Sequence, residues 1–213
     1  MPKQVDHEAR RRRIADAVCR LAARHGLEEV TLRRVAAEAG VSMGQVQHYF
    51  MTKNQMLLFA FRTMSARVEQ RLGAAVDALD KPPTIRALLR ALLVAMVPTD
   101  ADSRFEAPLW VAFLARAVIE PSLADPLNDG GNALTGFAAN QLRSAQQTGQ
   151  IAASLDPERE AASLFALADG LMIRTLLDPD QTATALATLD YHLDRIFGSE
   201  GPANHTAEAT RGA

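Results

Sequence analysis

Apolar side chains recur along this chain at three- and four-residue steps for most of its length, the period of helices buried along one stripe. The first run, Ile14, Ala17, Val18, Leu21 and Ala22, stops at Gly26, a residue suited to a helix C-terminal cap. Thr31 caps a short second helix with Leu32, Val35, Ala36 and Ala39 on its inner face. Gly40 ends that helix, and Ser42 opens a third, over about residues 43–50, that buries Val46 and Phe50. Thr52 caps a long fourth helix whose stripe is Leu57, Phe61, Met64, Val68, Leu72 and Val76, broken at residues 80–83 by Asp-Lys-Pro-Pro. Further helices follow. Thr84 caps residues 85–97, Pro98 and residues 100–102 mark a loop, and a segment from about 103 to 119 carries Leu109, Trp110, Phe113, Leu114 and Val118. Pro121 and Pro126 punctuate the connection to a helix ending at Gly149. Asp156-Pro157, a cap followed by a first-turn proline, opens a helix to Leu177. A turn at residues 178–180 leads into a last helix ending at Gly198.

Composition agrees with helices. Hydrophobic residues make up 48% of the chain and aromatics only 5%, and runs of strand-forming residues are scarce. The fold class expected is all-α, with about nine helices and no internal repeat. The domain boundary is placed inside the long fourth helix, giving units at 1–55 and 56–198. Residues 199–213 are polar and lack periodicity, so a disordered tail is expected there.

Charge changes the picture by its distribution. The net charge is −2, yet residues 1–53 hold 10 Lys and Arg against 6 Asp and Glu, while the remainder holds 13 against 19. A basic head on an acidic body suits a molecule that meets phosphate at one end. Cys19 is the only cysteine, which leaves no disulfide framework and no thiolate metal site. No metal and no cofactor are expected. The basic N-terminus lacks a following apolar stretch, and no uninterrupted apolar run approaches the length of a membrane span. A cytoplasmic protein without membrane contact is expected.

The stretch from Thr31 to Phe50 carries the chemistry. Two short helices meet at a turn where Gly40 supplies a left-handed residue, and Val41 and Val46 fill the angle between them. Met43, Gly44, Gln45, Gln47 and His48 then remain outward, with no acid among them. A helix meant only for water usually carries Glu and Lys; this uncharged donor–acceptor set suits a major groove. Ser42 and Gln45 also fit a capping box, which leaves Gln45 open between tying off the helix and touching a base. Gln47 is suited to paired hydrogen bonds with adenine. Arg10 to Arg13 read as a basic arm adding salt-dependent affinity.

This stretch resembles the DNA-binding domain of the tetracycline-repressor (TetR) family. The shared pattern is a threonine-led second helix (Thr31), Ala-x-x-x-Gly-Val-Ser-x-Gly from Ala36 to Gly44, Tyr49-Phe50, then Lys53 and Leu57 in the fourth helix. The resemblance covers about residues 10–60. It implies an N-terminal three-helix helix-turn-helix DNA-binding domain and a C-terminal helical ligand-binding and dimerisation domain. It further implies phosphate contacts from Thr31, Tyr49 and Lys53, base contacts from Arg33, Met43, Gln45 and Gln47, and His48 close to the backbone. Ser42 and Gly44 belong to the same surface. Gln47 stands where many members have an aromatic residue, so an operator sequence cannot be borrowed from them.

A reader of this kind pairs so that two recognition helices meet major grooves about 34–36 Å apart. The last two helices are the expected dimer surface: Leu164, Leu167 and Leu171 belong to an apolar spread too wide for one stripe, and Leu186, Leu189 and Leu193 form a single face. The resemblance implies a pocket among the middle helices, for which Met64, Met96, Trp110, Phe113 and Phe137 are candidates. Glu106, Glu120 and Asp169 lie in or beside apolar segments, where a buried acid would suit a cationic ligand. Arg116 and Arg174 favour ordinary ion pairs for Glu120 and Asp169 instead. The expected function is a transcriptional repressor that binds palindromic double-stranded operator DNA as a homodimer and is released by a small hydrophobic effector. The alternative is a helical small-molecule-binding protein or enzyme with an incidental basic head. Against catalysis stand the absence of a phosphate-binding glycine motif and five scattered histidines, at positions 7, 25, 48, 192 and 205.

Overall fold

The chain is described by a computed structural model over residues 2–198; the expected disordered tail, 199–213, lies outside the described residues. Among them every regular element is helical. The α-helices are α1 (Pro2–His25), α2 (Leu32–Ala39), α3 (Met43–Tyr49), α4 (Lys53–Asp77), α5 (Ile85–Val94), α6 (Ala101–Ile119), α7 (Pro121–Gln147), α8 (Pro157–Leu177) and α9 (Thr182–Phe197). Short 3-10 turns at Leu27–Glu29 and Pro179–Gln181 complete the chain path. No helix among the described residues is long and apolar enough to cross a membrane.

Helix starts follow side-chain chemistry. Thr31, Ser42, Thr52, Thr84 and Asp156 each accept a hydrogen bond from a first-turn backbone N–H, as their positions in the sequence predict. Asp100 departs from its expected place in a loop. It caps α6, and Ser103 returns a hydrogen bond to its backbone, so α6 begins at Ala101. Pro126 also departs from expectation, since α7 runs unbroken from Pro121 through it. Pro121 occupies the first turn, where no N–H is needed, and the carbonyl of Ser122, which Pro126 leaves without a helical donor, lies on an exposed residue.

Two buried clusters divide the molecule. The first joins α1–α4 through Ile14, Val18, Val46, Phe50, Leu57 and Phe61, and continues into Leu109, Phe113 and Ala117 of α6 and Leu123 and Leu127 of α7. The second joins α5, α7, α8 and α9 through Leu89, Leu93, Leu142, Leu164, Leu189 and Leu193. Helix α4 belongs to both, with Met56, Leu57, Ala60, Phe61 and Met64 in the first and Leu72 in the second. Polar ties support the division. Arg90 donates two hydrogen bonds to Asp190 (2.6 and 3.0 Å) between α5 and α9. Arg116 on α6 pairs with Glu28 at 3.0 Å and with Glu120 at 2.9 Å, and Asn54 of α4 donates to the same Glu120.

Candidate nucleic-acid interface and internal cavity

The turn between α2 and α3 is built by backbone hydrogen bonding. Gly40 takes φ 63 and ψ 41, its N–H donates to Ala37, and the N–H of Val41 reaches back to Ala36. This pair of bonds closes α2 and turns the chain so that Val46 of α3 is fully buried against it. With Val46 and Phe50 inward, Ser42, Met43, Gly44, Gln47 and His48 are exposed along the other side. Thr31 and Arg33 of the preceding helix are exposed as well, and Gln45, Tyr49 and Lys53 are half-buried.

The capping box is present. Ser42 N–H donates to Oε1 of Gln45 at 2.9 Å, and Gln45 N–H donates to Ser42 Oγ at 3.1 Å. Gln45 therefore has its carbonyl oriented toward the Ser42 N–H with one lone pair engaged, and its Nε2 hydrogens are free to donate. The Gln47 side chain makes no hydrogen bond among the described residues, and Arg33 and Lys53 make no ion pair there. Tyr49 packs edge-on against His48 (5.3 Å) and against His7 of α1 (4.6 Å). Within the basic arm, Arg11 lies over the Phe59 ring at 4.3 Å, whereas Arg12 and Arg13 are exposed.

A cavity lies where α4, α5, α6, α7 and α8 converge, near the junction of the two buried clusters. About 730 Å³ of space lies in it, part of it continuous with solvent. Met64, Met96 and Trp110 line it, as the sequence pattern suggested; Phe113 and Phe137 do not. Phe113 is fully buried in the first cluster against Phe61, and Phe137 sits half-exposed on the outside of α7. The charged lining consists of Arg71, Glu106 and Asp169. Arg71 Nη1 donates to Glu106 Oε2 at 2.5 Å, and Glu120 is held by Arg116. Asp169 differs: the ion pair with Arg174 does not form, and it has no hydrogen-bond or ion-pair partner among the described residues. It stands at the cavity mouth, open to water on one side, and partial burial on the other raises its pKa above the usual carboxylate value. Arg71 and Phe165 are cavity residues that composition and spacing did not single out. The signal was present for Arg71, which shares the α4 face of Met64 and Val68.

The expected dimer residues divide by burial. Leu164, Leu189 and Leu193 are fully buried within the protomer and Leu171 nearly so; Leu167 and Leu186 are half-buried. The outward faces of α8 and α9 instead carry Ala162, Ala166, Gly170, Ile173 and Leu177, and Ala187 and Tyr191.

A DNA-reading turn on four N-terminal helices, over a helical body with a cavity, defines a class of ligand-sensing regulators. Residues 14–59 match the profile described as bacterial regulatory proteins of the tetR family, and residues 83–198 match the C-terminal domain of BetI-type transcriptional repressors. The protein belongs to the TetR family of transcriptional regulators. It is 35% identical to the regulator PksA of Bacillus subtilis, over 84% of each chain. It is 33% identical to the regulator BetI of Burkholderia mallei, over 92% of this chain and 98% of the other. Among solved structures, a regulator from Saccharomonospora viridis in complex with choline has 27% identity and a TM-score of 0.76, covering 86% of this chain and 95% of that one.

Proposed function

We propose that this regulator is a cytoplasmic homodimeric repressor that binds a palindromic operator and releases it on binding a small organic cation. The observation that carries the DNA half is the exposed, acid-free face of α3, flanked by Arg33 and Lys53, which have no ion-pair partner among the described residues. Gln47 and Met43 meet bases, Gln45 donates to a base acceptor, and Arg33 reaches the base edges from α2. Thr31, Ser42, Tyr49 and Lys53 hold phosphates, His48 lies along the backbone, and Gly44 lets the helix approach closely. Pairing through the outward faces of α8 and α9 sets two such helices one DNA turn apart. The units at 1–55 and 56–198 correspond to reading and sensing, and no catalytic role is assigned.

A specific observation refines the effector from hydrophobic to cationic. Asp169, without a partner among the described residues, is a carboxylate beside an apolar wall that includes Trp110 and Phe165, the surroundings in which a quaternary or tertiary ammonium is held by charge and by ring faces. The choline bound to the Saccharomonospora viridis regulator is a ligand of that chemistry. The test is binding to the protein's own upstream DNA at two salt concentrations, with and without choline. Specific binding in the nanomolar range that falls steeply with salt and weakens with choline is expected. Equal affinity for a scrambled duplex would overturn the operator reading. Operator affinity unmoved by choline and by tetramethylammonium would overturn the cation reading.

A further inference from the structure

The cavity shares a wall with the outside. A surface groove along α4 and the start of α6 is lined by Arg67, Gln70, Ala74, Asp102 and Phe105, and it meets the cavity at Arg71 and Glu106. The Arg71–Glu106 pair is therefore the partition between an apolar interior and a polar groove. Its halves differ in exposure: the Glu106 side chain is 11% exposed and the Arg71 side chain 30%. Glu106 is fixed inside, while Arg71 has the groove behind it.

The interior is built of two acid–aromatic pairs on facing helices. On α6, Glu106 stands one helical turn before Trp110; on α8, Phe165 stands one turn before Asp169. A cation lying on either ring face is within reach of the neighbouring carboxylate. One carboxylate of the two is already engaged, by a guanidinium that enters from the wall.

We propose that Arg71 is a tethered competitor of the effector: the charged head of the bound cation sits between Asp169 and Glu106, taking the place beside Glu106 that Arg71 otherwise holds, and on binding Arg71 swings into the outer groove toward Asp102. This rests on the cation reading of the cavity given above. Asp102 is exposed, lines that groove and makes no ion pair among the described residues, so it offers the displaced guanidinium a partner. The exchange leaves the number of charges unchanged while moving one cation from the wall to the surface. Arg71 rides on the helix whose first half is buried in the DNA-reading cluster. Occupancy of Glu106 thereby acts on the reader through the loss of a tie between α4 and α6.

The experiment is calorimetric titration of the full-length protein with choline and with tetramethylammonium, paired with operator affinity at saturating choline. Arg71→Gln removes the competitor, so choline binds at least five-fold more tightly while the choline-induced drop in operator affinity shrinks. Asp102→Asn removes the acceptor, so choline binds two- to five-fold more weakly. This second substitution is on the surface and decides the matter even if the first destabilises the fold. Glu106→Gln weakens choline binding about ten-fold. Unchanged or weaker choline binding by Arg71→Gln with an intact thermal transition overturns the proposal, as does an Asp102→Asn protein indistinguishable from the parent. Failure of the parent protein itself to bind either cation, with Asp169→Asn equally silent, is the separate signature that the cation reading has failed, and the proposal falls with it.

Discussion

Gln45 and Gln47 are the same residue type two positions apart, and one hydrogen bond separates their capacities. With its carbonyl held by the Ser42 N–H, Gln45 is fixed in orientation and chiefly offers its amide hydrogens; the Gln47 side chain is free to donate and accept together, the pairing that adenine asks for. Gln47→Ala is expected to cost about 1–3 kcal/mol of operator affinity and to relax preference at one base pair while leaving the salt slope alone. Lys53→Ala should weaken all sequences about equally and reduce the salt slope by about 1. Titrations of cognate and scrambled duplexes at several salt concentrations separate the two. Gly40→Ala belongs at this scale too. At φ 63 a side chain is strained, and the added Cβ would lie 2.9 Å from Arg13 Nη2. Because that guanidinium is the far end of a flexible side chain, the cost is chiefly the left-handed backbone, about 1–2 kcal/mol, read as a lower thermal midpoint. These residues were legible because caps, turns and a short recognition helix are local chemistry. Whether Gln45 or Ser42 would be occupied was not, since a capping box and a base contact share one sequence pattern.

Helix α8 shows why the body was harder to read. Its apolar residues spread around the helix because three environments claim them: Leu164 and Ala168 enter the core, Phe165 and Met172 line the cavity, and Ile173 and Leu177 remain outside. Periodicity reports only that a residue is apolar, so it does not separate the leucines that the protomer buries, such as Leu164, from apolar residues left open on its surface. Two substitutions on α9 separate these roles. Leu189→Ala opens a cavity in the core and should cost about 2–5 kcal/mol by denaturant unfolding. Tyr191→Asp, on a residue 65% exposed, should leave the protomer folded while shifting sedimentation from dimer to monomer and weakening palindrome binding. A Tyr191→Asp protein still dimeric would remove this face from the assembly. Proline likewise misled at this level, because Pro126 is harmless where its turn faces water.

Two aspartates give the molecule opposite responses to acid. Arg90 holds Asp190 below the ordinary value of 3.8, so the stability from this α5–α9 tie is complete above that pH and lost as pH falls through the lowered value. Burial raises Asp169 above 3.8, so its ionisation disfavours the fold; stability is lost as pH rises from 3.8 through the raised value. Thermal melts across pH should show Asp190→Asn lowering the midpoint at neutral pH and converging with the parent in strong acid. Asp169→Asn should raise the midpoint at neutral pH and converge with the parent in strong acid, and it should lose choline binding. In the parent, choline affinity should climb as pH rises through the Asp169 transition. Asp169 stands out along the chain as an acid in an apolar segment, but its lack of a partner does not, since the distance from Asp169 to the nearest cation is decided by how five helices converge.

The first buried cluster does not stop where the DNA-reading helices end. Leu109, Phe113 and Ala117 of α6 and Leu123 and Leu127 of α7 complete it, so these helices are folded partly on residues that come some fifty or more positions later. Regulators are often recombined by joining one member's reader to another's sensing half. For this protein a splice within α4 would part Phe61 from Trp110 and Phe113, the rings it packs against, and a working hybrid has to carry α6 and the start of α7 across with the reader. The exchangeable module is discontinuous, and any natural reshuffling of this architecture is constrained to keep the two segments together.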